Sequence, residues 1–99
     1  MRVEFTAQAR SDLRSVGLFI ASDNPARAGS FVGELRAACE SLKDNPERFA
    51  AVKNLPGGPV RRMPHRAYSV FYQISGDRVA ILRVVHGAVV TGKFIGDIA

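Results

Sequence analysis

A single cysteine, Cys39, leaves no partner for a disulfide within the chain. Leu35, Ala38 and Leu42 surround it at helical spacing, which marks a buried thiol rather than a reactive one. Histidine is nearly as scarce: His65 and His86 stand at no metal-ligand spacing from each other or from Cys39, so neither a metal site nor a cofactor is expected. Long apolar runs are missing too, none approaching the roughly 18 residues that span a bilayer. The opening MRVEFTAQAR lacks the apolar centre of a signal peptide. These absences predict a cytoplasmic chain with no membrane partner. Acidic residues are outnumbered, nine against fourteen Lys and Arg, giving a formal charge of +5 and a pI near 10.1. Such a surplus favours an acidic protein or a nucleic acid as partner, although a basic surface kept for solubility has the same composition.

What is present suits one domain, residues 1–99, since 46% hydrophobic content in 99 residues is enough for one core and too little for two. The chain centres on Tyr68 to Gly87, YSVFYQISGDRVAILRVVHG, where two β-branched and aromatic runs flank Gly76-Asp77 and predict a hairpin. A two-residue loop sets Ser75 opposite Arg78, Ile74 opposite Val79, Tyr72 opposite Ile81 and Val70 opposite Arg83. One face then carries Tyr68, Val70, Tyr72, Ile74, Val79, Ile81, Arg83 and Val85, and the other Phe71, Leu82 and Val84 among others. Neither face suits open water along its length, so both need cover.

Upstream, Val3 and Phe5 alternate with polar neighbours in a short strand pattern, and Thr6 is placed to cap a helix from about Ala7 to Ser22. Its apolar side is Ala9, Leu13, Val16, Gly17 and Ile20, with Leu18 among the polar positions. Asn24-Pro25 stops that helix and starts another, carrying Ala28, Phe31, Val32, Leu35, Ala38, Cys39 and Leu42 at core spacing, so the two form an antiparallel hairpin. Gly29 and Gly33 each weaken this second helix by roughly 1 kcal/mol relative to Ala, a cost more easily tolerated where something packs against the bare backbone. Asn45-Pro46 ends it. The segment through Pro59 reads as a long surface connection, Val60–Met63 as a strand, and Pro64-His65-Arg66 as the turn into the hairpin.

Signatures of catalysis are sparse. Gly57-Gly58 is followed by no Lys-hydroxyl pair, so it is not a phosphate loop. His86 with Asp77 or Asp97 lacks a nucleophile in a recognisable elbow. Arg61, Arg62, His65, Arg66, Arg78, Arg83, His86 and Lys93 interleave with Tyr68, Phe71, Tyr72 and Phe94, a mixture suited to RNA or an acidic protein surface. The same arginines would equally cover sheet edges with their aliphatic stems. Arg83, in the middle of an apolar strand, needs a carboxylate or hydroxyl partner or an opening onto a functional surface.

In order and spacing, Phe5-Thr6, Ala9, Asp12-Leu13, Asn24-Pro25, Ala28, Phe31-Val32, Leu42, Asn45-Pro46, Val60-Arg61, Tyr68, Phe71-Tyr72 and Ile81–Gly87 resemble the RelE/ParE superfamily of bacterial toxins, its ParE branch most closely. The resemblance implies an α+β fold: an N-terminal strand, then an antiparallel helical hairpin packed on a twisted, mainly antiparallel β-sheet. It further implies a toxin of a type II toxin–antitoxin system, an acidic ParD-like antitoxin forming a hetero-oligomer with it, and DNA gyrase as the target. RelE-like members instead cleave mRNA on the ribosome, and a relic that binds antitoxin without toxicity is a third possibility. Val89-Val90 stand where Arg and Asp often follow His-Gly, a pair frequent among ParE-like chains too, and Phe94 where cleaving members carry a protonatable group; these departures weaken the nuclease reading, and the expectation is gyrase inhibition by binding without catalysis. The expected gyrase-binding residues are Arg61, Arg62, Arg66, Lys93 and Phe94. Leu18, Gly29 and Gly33 are expected to meet the antitoxin. For a nuclease the candidates are Arg61, Arg83, His86 and Lys93.

Overall fold

Residues 1–87 are described by a computed structural model. Strand β1 (Arg2–Phe5) leads into α1 (Ala7–Ala21), α2 (Pro25–Glu40) and a 3-10 turn (Ser41–Lys43), followed by β2 (Ala51–Leu55), β3 (Gly58–His65), β4 (Tyr68–Ser75) and β5 (Arg78–His86). The strands lie in the order β1-β5-β4-β3-β2. β1 runs parallel to β5, and the remaining pairs are antiparallel. This is the expected α+β architecture of a helical hairpin on a mainly antiparallel sheet.

Both helices start where local chemistry places them. Thr6 Oγ1 accepts the Ala9 amide at 3.1 Å and donates to the Leu82 carbonyl at 3.1 Å, so one side chain caps α1 and ties its first turn to β5. Asn24 Oδ1 accepts the Arg27 amide at 3.1 Å, with Pro25 at the first helical position. The apolar stripes then meet the sheet: Leu13 and Val16 of α1 and Phe31, Leu35 and Cys39 of α2 pack on Met63, Val70, Tyr72, Val79, Ile81 and Val84. Leu35 is fully buried, and truncating such a residue to Ala typically costs about 2–5 kcal/mol. By strand alternation the other face holds a second cluster, Val60 and Phe71, with Leu55, Leu82 and Val85 against them.

Three sequence expectations are corrected. The hairpin begins in the predicted register, Ser75 with Arg78 through Tyr72 with Ile81, but a bulge at Leu82 then pairs Phe71 with Arg83 and Val70 with Val84. The extra residue reverses the faces beyond it, so Val84 enters the helix-side core where Arg83 was expected, and Val85 joins the opposite cluster. An uninterrupted ladder would have driven a guanidinium into that core. Second, the supposed long connection contains β2, joined to β3 through Pro56-Gly57, with Leu55 opposite Gly58. Gly57 has φ +93°, which a two-residue turn there requires. Third, Pro64 and His65 belong to β3, and the turn is Arg66-Ala67, with Arg66 at φ 54°. Pro64 is tolerated because β2 pairs with β3 only as far as Arg61, leaving the amide edge at Pro64 without a β2 partner.

Candidate protein-docking surface

Helix α1 presents large apolar side chains on two of its flanks. Leu18 is 73% exposed and Phe19 67% exposed, adjacent in sequence but turned by about 100° around the helix axis. Leu18 stands at a groove between α1 and α2 that is also lined by Leu13, Arg14, Gly17, Ala28, Gly29 and Val32, with a volume of about 370 Å³. The helices approach closely at Gly17, where a Cβ would lie 3.5 Å from Val32 Cγ2. Gly29 lies in the same groove, but a Cβ there would meet nothing within 4 Å, and the same holds for Gly33, which is exposed and outside the groove lining. The bare backbone of α2 is therefore not filled by α1.

Phe19 leans the other way. It borders a pocket of about 300 Å³ between α1 and the end of β5, lined also by Asp12, Ser15, Val16, Tyr68, Val84 and His86. The His86 ring lies 6.3 Å from Phe19 and 5.2 Å, edge-on, from Tyr68. Tyr68 in turn touches Phe31, whose ring is 6.0 Å from His65. Burial pushes the Tyr68 phenol above its ordinary range, so it stays neutral. Sequence reasoning missed Phe19 because it sits next to Leu18 outside the core stripe; the run Leu18-Phe19-Ile20 is wider than the stripe that Ala9, Leu13 and Val16 define, and that was the available signal.

The expected target-binding arginines do not share a face. Arg61 points to the helix side, where its Nη1 donates to the carbonyls of Phe49 at 2.7 Å and Glu47 at 3.3 Å. Beside it Tyr72 donates to the Pro46 carbonyl at 2.6 Å, its hydroxyl pushed upward by burial and pulled back by Arg61 and Arg48. Arg61 thus pins the loop before β2. Arg62 lies on the opposite face: its Nε donates to Ser69 Oγ at 2.8 Å, and that hydroxyl, fully buried, donates to the Gly87 carbonyl at 2.8 Å. Arg66 is exposed at the β3–β4 turn. Lys93 and Phe94 lie outside the described residues.

Among the nuclease candidates, Arg83 is held by Asp12 and His86 by the aromatic contacts just given. Arg61 is thus engaged with the loop before β2, whereas Arg83 and His86 both meet α1, through Asp12 and Phe19. Among the described residues no three or more His, Cys, Asp or Glu are grouped to hold a metal ion. No described helix is long and apolar enough to cross a membrane.

The family model for the ParE toxin of the type II toxin–antitoxin system, parDE, matches residues 3–90. The chain belongs to the ParE toxin family. Its fold resembles a structure from the chromosomal ParDE system of P. aeruginosa, with a TM-score of 0.76 and 21% identity over 88% of this chain and 96% of that one. It also resembles a structure from the toxin–antitoxin complex RelBE2 of Mycobacterium tuberculosis, with a TM-score of 0.63 and 24% identity over 86% and 95%. No curated protein matches significantly. Membership of the ParE family accounts for the order of elements read from the sequence, and the likeness to the RelBE2 structure reflects a fold common to both toxin branches.

Proposed function

We propose that this ParE-family toxin arrests growth by binding DNA gyrase without catalysis, and that an acidic antitoxin neutralises it by docking on the helical hairpin. The observation that carries the first part is the state of Arg61 and Arg83. RNA cleavage needs an activated 2′-hydroxyl, charge stabilisation at phosphate and an acid for the leaving oxygen, all converging on one phosphate. Here Arg61 serves the carbonyls of the loop before β2 and Arg83 serves Asp12. The exposed arginine left at the sheet end is Arg66, which with Arg62, Lys93 and Phe94 is the proposed gyrase contact, arginines pairing with carboxylates and Phe94 supplying an apolar anchor. Support for the second part is the exposed Leu18 beside an apolar groove and the unfilled backbone at Gly29 and Gly33.

The test is expression without antitoxin. Gyrase cleavage complexes and a DNA-damage response should appear while bulk mRNA stays intact, and charge reversal at Arg62 should abolish toxicity without loss of antitoxin binding. Cutting of mRNA on programmed ribosomes with gyrase supercoiling untouched would replace this reading with ribosome-dependent cleavage.

A further inference from the structure

We infer that Ser69 is a positioning residue for the target contact: with Arg62 it latches Gly87, and so fixes where residues 88–99, the segment that carries Lys93 and Phe94, leave the sheet. The inference rests on the proposed gyrase contact; the latch, and the role of a buried hydroxyl in it, go beyond that reading.

Ser69 is an unusual residue for its place. It lies in the run Tyr68-Ser69-Val70-Phe71-Tyr72, buried throughout, and at 0% exposure it is the one buried polar residue among those described. Valine would suit such a position by strand preference and by burial, so a hydroxyl here has to be matched by partners. It has two. The hydroxyl accepts from Arg62 Nε at 2.8 Å and donates to the Gly87 carbonyl at 2.8 Å. Register explains the reach: Ser69 pairs with Pro64 on β3 and with Val85 on β5, and Arg62 and Gly87 each stand two residues along from those partners, at diagonal distance.

Both polar groups of the Gly87 backbone are thereby taken. Its amide donates to the Ala67 carbonyl at 2.6 Å, its carbonyl is held by Ser69, and its φ of +93° is open to glycine and strained for other residues. A strand can end without any of this. Three restraints on one residue give the chain that follows a single starting point and direction. The latch draws the carbonyl toward the face of Val60 and Phe71, away from the helical hairpin. Arg62 Nε is spent in it, while no described residue takes Nη1 or Nη2, so the guanidinium can hold Ser69 and still meet a carboxylate of the target. The segment after Gly87 thus starts beside Arg62, and target contact and antitoxin docking fall on separate faces. Being fully buried, Ser69 touches neither partner and acts only through Arg62 and Gly87.

The experiment uses the full-length toxin. In gyrase supercoiling assays Ser69→Ala is expected to raise the concentration for half-inhibition roughly tenfold, since it removes one charge-assisted and one neutral hydrogen bond, with antitoxin affinity unchanged. Phe94→Ala should impair inhibition too, and the double variant should be no worse than Phe94→Ala alone, because a misdirected segment without its anchor has nothing more to lose. In NMR spectra of the free toxin, Ser69→Ala should shift the amides of Lys93 and Phe94 and leave those of α1 and α2 in place. Gly87→Ala, outside the core, repeats both measurements should Ser69→Ala unfold. Additive losses in the double variant, or unmoved Lys93 and Phe94 amides, overturn the latch. Full inhibition by Phe94→Ala takes the segment out of the contact and equally overturns it. A parent toxin that leaves gyrase untouched overturns the proposed function and, with it, the role of the latch; failure of the latch alone is read from the variants of an active parent.

Discussion

Asp12 on α1 and Arg83 on β5, 71 positions apart, form a two-pronged ion pair, Nε to Oδ2 at 2.8 Å and Nη2 to Oδ1 at 3.2 Å, and the same Oδ2 accepts the Val84 amide at 2.9 Å. The bulge at Leu82 delivers both donors to one carboxylate, while Thr6 takes the Leu82 carbonyl alongside. Helix α1 is thereby fastened to β5 by polar contacts at the edge of an otherwise apolar seam. Asp12→Ala should destabilise the chain by about 2–4 kcal/mol, below the cost of breaking a fully buried pair because the two side chains keep 16% and 22% exposure. Chemical denaturation of Asp12→Ala, Arg83→Ala and the double variant should give a coupling of about 1 kcal/mol or more. Additive single effects would count against the pairing as a source of stability.

Gly29 and Gly33 lie in α2 with open space where a Cβ would stand. Replacing either with Ala should therefore stabilise the isolated chain by roughly 1 kcal/mol, a rise of about 4–8 °C in Tm. Gly17→Ala, with Val32 at 3.5 Å from the added Cβ, should gain less. A lowered Tm in Gly29→Ala would show that α2 needs the bare backbone for its own packing.

Arg61 and Tyr72 together hold the loop that precedes β2 through the carbonyls of Pro46, Glu47 and Phe49. Each of Arg61→Ala and Tyr72→Phe should cost about 0.5–2 kcal/mol and speed limited proteolysis between residues 44 and 50. Arg62→Ala, on the other face, should leave cleavage of that loop unchanged. Equal protection in all three would place the stability of the loop elsewhere.

Burial pushes the Cys39 thiol up from its usual 9.0 to about 12. In the folded chain it keeps its proton across that interval, while the unfolded chain releases it above 9.0, so the unfolded state gains as pH rises. Stability from this residue is complete below pH 9 and falls through the window up to about 12. Denaturant midpoints should decline there more steeply for the parent than for Cys39→Ala, and native Cys39 should resist thiol reagents at neutral pH until the chain unfolds. Rapid labelling of the native protein would contradict the burial.

Elements whose signals lie within a few residues of one another were legible in the sequence. The Ala9, Leu13 and Val16 stripe, the caps at Thr6 and Asn24-Pro25, the Gly76-Asp77 turn and the expectation that Arg83 needs a partner all follow from local spacing and local hydrogen bonding. Family resemblance added the order of elements. Edge strand β2 escaped because AVKNL has little alternation and is defined by its pairing with β3. Arg61 and Arg62, neighbours in the chain and candidates for one basic face, are sent to opposite sides by the pleat. Identifying Asp12 as the partner of Arg83, the bulge that exchanges Arg83 for Val84 in the core, and the pocket that Phe19 borders required the packing of α1 against β5. Those features depend on which distant groups share a volume: a buried charge must meet its counter-charge, and only the folded chain brings residues 71 positions apart within hydrogen-bond reach.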